Sequence, residues 1–301
     1  MRRLATLLVV ALLGLSGCGT DGATTGSDGI PGGSASSATT IRRYVALGDS
    51  YTAAPYVYLT DVANGCLRSN GNYPALLAQR LGVAKHVDVS CSGATSKDLF
   101  GRQGTFQQQT VPPQLAAVTR GTDLVTIGIG GNDFGLFGSL VGTCPISGPQ
   151  GRIFAPSDGV RCGQVDLRRA SADVRRIGAL ITRDLRAIHR KAPEATVVLV
   201  GYPRIVDPSR SCPKVLPVAR RDTIALDAVT RSLSQQMKAA AGRTGSVFID
   251  LYAASKGHDV CAGKDAWVNG VRTDTSRAAA LHPFAEEQRA AAGLIAHALE
   301  G

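Results

Sequence analysis

The stretch YVALGDSYT, from Tyr44 to Thr52, is an apolar run that ends abruptly in Gly-Asp-Ser. A short apolar run that stops at such a turn signal is typical of a buried β-strand. Ligands of open α/β sheets bind at the carboxyl ends of the strands, so a residue that directly follows the strand lies where ligands bind. The stretch therefore predicts a sheet whose strand displays the hydroxyl of Ser50 at its edge.

Similar apolar segments recur along the chain and alternate with segments of helical period. We predict strands at Tyr44–Leu47, Val87–Ser90, Leu124–Ile129, Thr196–Val200 and Val247–Asp250. Apolar residues three or four positions apart predict helices at about Asn72–Leu81, Leu167–Arg190 and Val218–Ala241. Strands that alternate with helices form a parallel sheet covered on both faces. We therefore expect an α/β protein with a three-layer α/β/α, flavodoxin-like fold and a five-stranded parallel sheet.

Three further motifs follow in a fixed order, each near the end of a predicted strand or just before a helix. Gly93 lies in Ser-Cys-Ser-Gly-Ala-Thr, Asn132 in Gly-Gly-Asn-Asp, and His282 in Leu-His-Pro. Acyl transfer from an ester requires a nucleophile, a base and hydrogen-bond donors for the oxyanion. The four motifs together supply these groups, although each alone is a common tetrapeptide.

The set resembles the SGNH hydrolases, the Gly-Asp-Ser-Leu group of esterases and lipases. Tyr51 stands where leucine is usual, a common variant of that family. The resemblance extends from about Val45 to Pro283 and looks most like the actinobacterial secreted lipase and esterase branch. It implies a serine hydrolase that cleaves carboxylic esters through an acyl-enzyme intermediate and needs no metal or other cofactor.

Ser50 and His282 are the predicted catalytic pair. A serine hydroxyl attacks only when a base removes its proton, whereas Asp49-Ser50 alone would be read as a helix N-cap. Proline disfavours helix for the residue before it and opens helices well, so Pro283 places His282 in a loop just ahead of the last helix. Asp49 is expected to hold the turn through backbone amides.

The oxyanion hole is assigned by resemblance. Its donors would be the N–H groups of Ser50 and Gly93 and the side-chain amide of Asn132. Glycine allows the backbone to approach a substrate closely. The plainer alternatives are an ordinary turn at Gly93 and an Asx-turn at Asn132.

The group that orients the base departs from the family pattern. The family commonly has an aspartate three residues before the histidine, and Ala279 occupies that position here. We therefore expect a Ser50–His282 dyad in which the backbone carbonyl of Ala279 accepts the ring N–H. Asp274 and Asp259 are the alternatives.

The first residues read as an export signal. Arg2 and Arg3 precede an apolar core, Leu4–Leu15, that is too short to span a bilayer as a helix. Leu15–Cys18 resembles a bacterial lipobox, which implies that Cys18 carries lipid. We expect a lipoprotein signal at residues 1–18 and a location on the extracellular face of the membrane, with ordinary secretion as the alternative.

Residues 19–40 are rich in Gly, Ser, Thr and Ala and cannot bury enough apolar surface to fold. We expect a flexible tether there and a single hydrolase domain at residues 41–301. The formal net charge of +10 favours anionic lipids or cell-wall polymers. Because no basic run with interleaved aromatic residues is present, nucleic acid is not an expected partner, and we expect a monomer.

Seven cysteines are present, one of them the proposed lipidation site Cys18. An even number of others in an exported chain indicates disulfides, whose pairing the sequence alone leaves open. The family resemblance implies the sequential pairs Cys66–Cys91, Cys144–Cys162 and Cys212–Cys261. A metal site is disfavoured because no Cys-x-x-Cys motif occurs.

Phe134–Val165 has little periodicity and directly follows Asn132. A long loop of this kind is usually functional, so we expect it to form a wall of the substrate site, with a surface insertion pinned by Cys144–Cys162 as the alternative. The α/β-hydrolase elbow is excluded because Thr52 stands where a second glycine is needed. A carbohydrate deacetylase and a non-catalytic lipoprotein that binds glycan or lipid remain alternative functions.

Overall fold

The computed structural model describes residues 41–141, 146–147, 153–154 and 166–300. A five-stranded sheet forms its centre: β1 is Arg43–Gly48, β2 Lys85–Asp88, β3 Leu124–Gly128, β4 Thr196–Val200 and β5 Val247–Ile249. Across the sheet the strands lie in the order β5-β4-β3-β1-β2, and all neighbours are parallel. The predicted flavodoxin-like sheet is confirmed, and its five strands are those that the sequence indicated.

Helices cover both faces of the sheet. In chain order they are α1 Ser50–Ala53, α2 Tyr73–Leu81, α3 Leu136–Val141, α4 Leu167–Lys191, α5 Arg220–Gly242, α6 Leu251–Ala254 and α7 Ala285–Glu300. Short 3₁₀ turns lie at Ser96–Leu99, Gln114–Ala117, Asp133–Gly135 and Gly263–Asp265. The three predicted helices are present within two residues of their predicted ends.

Alternation along β1 explains the three layers. Val45 and Leu47 belong to the larger apolar cluster, which α4 and α5 complete. Tyr44 and Ala46 point to the opposite face, where α2 and α7 pack. Because successive side chains of a strand point to opposite faces, an unbroken apolar run buries both.

Capping side chains fix where two of the helices begin. The Asn72 side chain accepts a hydrogen bond from the N–H of Ala75, so Asn72 is the N-cap of α2 and not its first residue. The Asp166 carboxylate accepts from the N–H groups of Arg168 and Arg169 at the start of α4. A side-chain oxygen in this position satisfies donors that have no partner within the helix.

The loops that connect the main elements contain short antiparallel strand pairs. Thr60–Asp61 pairs with Arg68–Ser69, and Gln103–Gly104 pairs with Thr110–Val111. The segment predicted as a structureless loop contains regular structure instead: α3 lies within it, and Ile146–Ser147 pairs with Ile153–Phe154. Its other residues after α3 lie outside the described residues.

Two of the three expected disulfides are present, Cys66–Cys91 and Cys212–Cys261. The Cys144–Cys162 pair lies outside the described residues, as do the export signal with Cys18 and the tether at residues 19–40. Each confirmed bridge closes a loop of a few tens of residues, which contributes about 3–4 kcal/mol by the chain-entropy estimate. Among the described residues, none of the helices combines the length and apolar character that crossing a bilayer requires.

The beginning of α7 is tied to the start of the domain by Gln288. Its Oε1 accepts from the N–H of Tyr73 at 2.6 Å, and its Nε2 donates to the carbonyl of Tyr51 at 3.1 Å. Nε2 also donates to the carboxylate of Glu287, which is 2% exposed. Burial raises the pKa of Glu287 to about 8, because the charged carboxylate loses its hydration there.

Replacing Glu287 with glutamine removes this buried ionisable group while keeping an acceptor for Gln288. In the unfolded chain Glu287 loses its proton near pH 4.5, whereas in the folded chain its pKa is about 8, so stability falls as the pH rises through that window. We expect Glu287→Gln to melt about 3 °C or more above wild type at pH ~9. Calorimetric melting curves at several pH values measure this.

At pH ~4, where both states hold the proton, the two proteins should melt together. The control is Glu286→Gln, because Glu286 is the more exposed neighbour and forms an ion pair with Arg289 at the surface. Equal melting temperatures of wild type and Glu287→Gln at pH ~9 would contradict the role assigned to burial.

Candidate active site

The turn after β1 can form only with glycine at position 48. Gly48 has φ +151°, and a Cβ atom there would clash with the Thr52 side chain and lie 2.7 Å from the carbonyl oxygen of Gly128. The buried side-chain amide of Gln114 completes the turn: its Oε1 accepts from the Gly48 N–H at 2.8 Å, and its Nε2 donates to the Gly48 carbonyl at 2.9 Å. The strand end is thus held on both sides.

Asp49 fixes the turn and leaves Ser50 to face outward. The Asp49 N–H donates to the Gly128 carbonyl at 2.9 Å, and its carboxylate accepts from the Tyr51 N–H at 2.9 Å and from the Tyr202 hydroxyl at 2.5 Å. Burial raises the pKa of Asp49 to about 7, an effect that the Tyr202 hydrogen bond opposes. The structural role predicted for Asp49 is confirmed, since it is the N-cap of α1.

Ser50 is the first residue of α1 and is 8% exposed. Its N–H donates to no protein acceptor in the described parts of the chain, and the same is true of Gly93. Gly93 has φ +81°, a left-handed conformation that glycine adopts without strain. Two free N–H donors therefore lie at the sheet edge where the oxyanion hole was predicted.

Asn132 directs its side-chain amide by a contact with the backbone. Its Nδ2 donates to the carbonyl of Ala94 at 3.0 Å. An amide nitrogen carries two hydrogens, so the second remains for a ligand. The following Asp133 is buried and accepts from the N–H and hydroxyl of Ser96, which fastens this loop to the one that carries Gly93.

The His282 ring is oriented by a backbone carbonyl, but not by the one predicted. Nδ1 lies 2.7 Å from the carbonyl oxygen of Ala280. The prediction of Ala279 is wrong, because the Ala279 carbonyl already accepts from the His282 N–H at 3.2 Å and from the side chain of Asn269 at 3.0 Å. Burial lowers the pKa of His282, which favours the neutral ring that a base requires, while the Ala280 hydrogen bond acts in the opposite direction.

Neither of the alternative aspartates contacts the His282 ring. Asp274 accepts from the N–H and hydroxyl of Ser276. Asp259 accepts from the N–H of Cys261 and lies 3.4 Å from a guanidinium nitrogen of Arg210. Both carboxylates therefore stabilise their own loops.

Asn269 is the residue that holds the histidine loop in shape. Its Nδ2 lies 2.8–3.0 Å from the carbonyl oxygens of Arg272, Ala278 and Ala279. Its backbone N–H donates to the His282 carbonyl at 2.9 Å. Asn269 thus holds together the segment that precedes the ring and the backbone of His282 itself. The sequence analysis missed this role, although Asn-Gly at 269–270 is a recognisable turn signal.

An aromatic cluster made of Tyr51, Phe137 and Tyr202 packs against the His282 ring through Tyr51. The Tyr51 ring lies 5.2 Å from the His282 ring, centroid to centroid, and 5.1 and 5.7 Å from those of Tyr202 and Phe137. The Tyr51 hydroxyl donates to the carbonyl of Leu281 at 2.6 Å. The residue after the predicted nucleophile therefore fixes the distance between the serine turn and the histidine loop.

The four predicted site residues border one cavity. Ser50, Gly93, Asn132 and His282 line a cleft of about 590 Å³, a volume typical of small-molecule sites. A second, narrower cavity of about 190 Å³ meets it at Ser50, Asn132 and His282 and is lined mainly by apolar side chains. Phe137 and Gly138 border the second cavity, so part of the segment after Asn132 forms a wall there, as predicted.

Ser50 and His282 meet at this cleft without a direct hydrogen bond between their side chains in the described parts of the chain. Catalytic hydrogen bonds are often long in unliganded enzymes and tighten when substrate binds. The arrangement therefore provides a hydroxyl, a neutral imidazole and three potential oxyanion donors around one space. Their catalytic roles stay predictions.

The chain is similar to known lipases in sequence and in fold. The model of the GDSL-like lipase/acylhydrolase family matches residues 46–290. Lipase 2 of Streptomyces coelicolor is 37% identical over 227 residues, 72% of each chain. An extracellular lipase from Streptomyces rimosus has a similar structure, with a TM-score of 0.68 and 28% identity over 85% of this chain and 99% of that one. Phospholipase A1 from Streptomyces albidoflavus NA297 also has a similar structure, with a TM-score of 0.64 and 26% identity; the match covers 87% of this chain and 100% of that one.

Replacing Asn269 with alanine removes the donor that gathers the histidine loop. We expect kcat for a p-nitrophenyl ester to fall about tenfold to a hundredfold with a smaller change in KM, because the ring is misplaced while most residues that line the cleft lie outside this loop. Steady-state kinetics well below the melting temperature, together with the pH profile of kcat, measure this. Thr275→Ala, a change at an exposed residue of the same loop, is the control and should retain wild-type kinetics. An unchanged kcat with a lowered melting temperature would limit Asn269 to a structural role.

Proposed function

The chain belongs to the GDSL-like lipase/acylhydrolase family and is a carboxylic ester hydrolase, and we propose that it is an extracellular lipase or esterase that works through a Ser50–His282 dyad. The observation that carries the proposal is that Ser50, Gly93, Asn132 and His282 surround one cleft. The proposed mechanism uses these side chains and backbone amides, the carbonyl of Ala280 and one water molecule.

In the first step the Ser50 oxygen forms a bond to the ester carbonyl carbon while His282 Nε2 takes the hydroxyl proton. The carbonyl oxygen becomes an oxyanion that accepts from the N–H groups of Ser50 and Gly93 and from Asn132 Nδ2. The tetrahedral intermediate then breaks its bond to the alcohol oxygen, which leaves with the proton from His282. Water repeats the sequence on the acyl-enzyme and restores Ser50.

The Ala280 carbonyl supports the proton transfer. It accepts from Nδ1–H, which fixes the tautomer in which Nε2 has a free lone pair. When His282 gains the proton, the carbonyl dipole stabilises the cation less than a carboxylate would. We infer that Asn269 and Tyr51 compensate by holding the ring in position.

The two cavities suggest how an ester is held. The narrow cavity is apolar, with Phe137, Ile205 and Leu226 on its walls, and suits the acyl chain. The wider cleft combines apolar side chains such as Leu67 and Phe106 with polar groups such as Gln107 and suits the alcohol part of a lipid ester. The names of the relatives, two lipases and a phospholipase A1, favour lipid esters.

We further propose that the enzyme acts outside the cell. The proposed signal at residues 1–18 and the extracellular lipase among its relatives support export. If Cys18 carries lipid, residues 19–40 tether the hydrolase domain, residues 41–301, to the outer face of the membrane. Disulfides at Cys66–Cys91 and Cys212–Cys261 suit an oxidising compartment.

A serine-reactive fluorophosphonate probe tests the nucleophile directly. We expect the wild type and a Ser276→Ala control to be labelled, and Ser50→Ala to be unlabelled, because only an activated hydroxyl attacks the probe. A panel of p-nitrophenyl esters from acetyl to palmitoyl, with phospholipid and acetylated xylan alongside, identifies the substrate class. No labelling of the wild type would favour a non-catalytic binding protein, and turnover of acetylated xylan alone would favour a deacetylase.

Asn132→Ala tests the oxyanion hole. We expect kcat to fall about 10²–10³-fold, because one donor to the oxyanion is lost. Asn132→Asp should fall further, since it replaces the donor with a negative charge. Gln235→Ala is the control, because the exposed amide of Gln235 lies on α5 and borders neither cavity, so kcat should stay within about twofold. A loss in Asn132→Ala that appears only in KM would contradict this role.

A further inference from the structure

Four large apolar side chains stand exposed on two neighbouring loops beside the cleft. Tyr58 is 62% exposed, Leu59 78%, Val62 51% and Phe106 72%. We call these four residues the apolar rim. Single exposed apolar residues are ordinary, but a group of them beside a cleft is typical of an interaction surface.

The two loops that carry the rim are held in shape by hydrogen bonds and are joined to each other. The Leu59 N–H and carbonyl both bond to Asn70, at 3.1 and 2.9 Å. The Gln109 side chain donates to the carbonyl of Ala63 at 3.1 Å and so links the loops. Tyr58 has φ +61°, and a non-glycine residue in that conformation costs free energy that the surrounding contacts offset.

The rim is continuous with the catalytic cleft. Phe106 belongs to both, and Tyr56 and Leu67 from the other loop line the same cleft as Ser50. An apolar molecule that leaves the rim therefore passes over apolar side chains to reach the hydroxyl. This continuity favours a partner that contains the ester itself over one that binds elsewhere.

Three arginines lie beside the rim. An Arg289 guanidinium nitrogen donates to the Tyr58 hydroxyl at 3.2 Å, and Arg68 and Arg102 lie in the rim loops. Three acidic groups are also near: Asp61 and Asp88 border the same pocket as Arg68, and Glu286 forms an ion pair with Arg289. With a net charge of +10 on the chain, the surface favours an anionic partner.

We propose that the apolar rim inserts into the surface of an anionic phospholipid layer and brings the cleft against it, so that the enzyme takes its ester from the layer. Apolar side chains enter the boundary between headgroups and acyl chains, and the arginines pair with lipid phosphates. The inference rests on the proposed function for its consequence, the choice of substrate, but the binding of lipid is independent of hydrolysis.

The test compares Leu59→Ser/Val62→Ser with a matched control, Leu167→Ser/Ile224→Ser. The control residues are 46% and 49% exposed and lie on α4 and α5. All proteins are the full chain with Cys18→Ala, which removes the proposed acyl anchor and makes any contribution of the leader common to all. Binding to phosphatidylcholine vesicles with and without about one third phosphatidylglycerol is measured by co-sedimentation, in a Ser50→Ala background.

We expect the rim variant to bind anionic vesicles about tenfold more weakly than the wild type, and the control to match the wild type. With Ser50 intact, we expect the rim variant to hydrolyse a vesicle-bound ester more slowly but to retain turnover of soluble p-nitrophenyl acetate. Failure of the proposed function would abolish all turnover without changing vesicle binding, so the two failures are distinguishable.

Three results would overturn the proposal. One is equal vesicle binding by the rim variant and the wild type, and another is wild-type binding that does not increase with phosphatidylglycerol. The third is a wild-type dimer, detected by analytical ultracentrifugation without lipid, that the rim substitutions dissociate. That result would assign the rim to contact with a second copy of the chain.

Discussion

Catalysis here depends on bringing together two residues, Ser50 and His282, that are far apart in the sequence but border one cleft. The helix that follows His282 is tied to the backbone beside Ser50 by the side chain of Gln288. It is fully buried and contacts the backbone of Tyr51 and of Tyr73. A buried amide with all its groups satisfied fixes one geometry, since any shift leaves a donor or acceptor unpaired. The apolar packing of α2 and α7 on one face of the sheet holds the two helices together, and the hydrogen bonds of Gln288 fix their relative position.

Among the described residues, no carboxylate contacts the imidazole, and a backbone carbonyl takes that place. Asp49 is nearby, but it is turned toward Tyr202 and the backbone and serves the turn. The neutral state of His282 is favoured by its burial, and nothing anionic in direct contact raises its pKa. The dyad therefore works by placement of the ring and leaves the stabilisation of negative charge to the donors around the cleft.

The sheet and the convergence of the four motifs at its edge could be predicted from the sequence, because both depend on local signals. Apolar runs that end in Gly, Ser or Asp locate the strands, and Pro283 locates the loop that carries His282. The exact carbonyl that orients the ring was missed by one residue, since it depends on how Asn269 folds the loop back on itself. Gln114 and Gln288 were also missed, because a buried glutamine that pairs with distant backbone has no local pattern. The short helix α3 was read as loop because it is too brief for its period to register.

Because a main-chain oxygen at Ala280 orients the ring, the active site tolerates substitution of the residues around the histidine. A side-chain carboxylate can be deleted by one codon change, whereas every residue type supplies the same carbonyl. The sequence around the histidine is thereby released from the need to keep an acidic residue. The orientation of the ring depends instead on Asn269 and on the backbone path of the loop, in which Leu281 has φ +60°. Substitutions that change the shape of this loop should therefore matter more than those that change the charge beside the histidine.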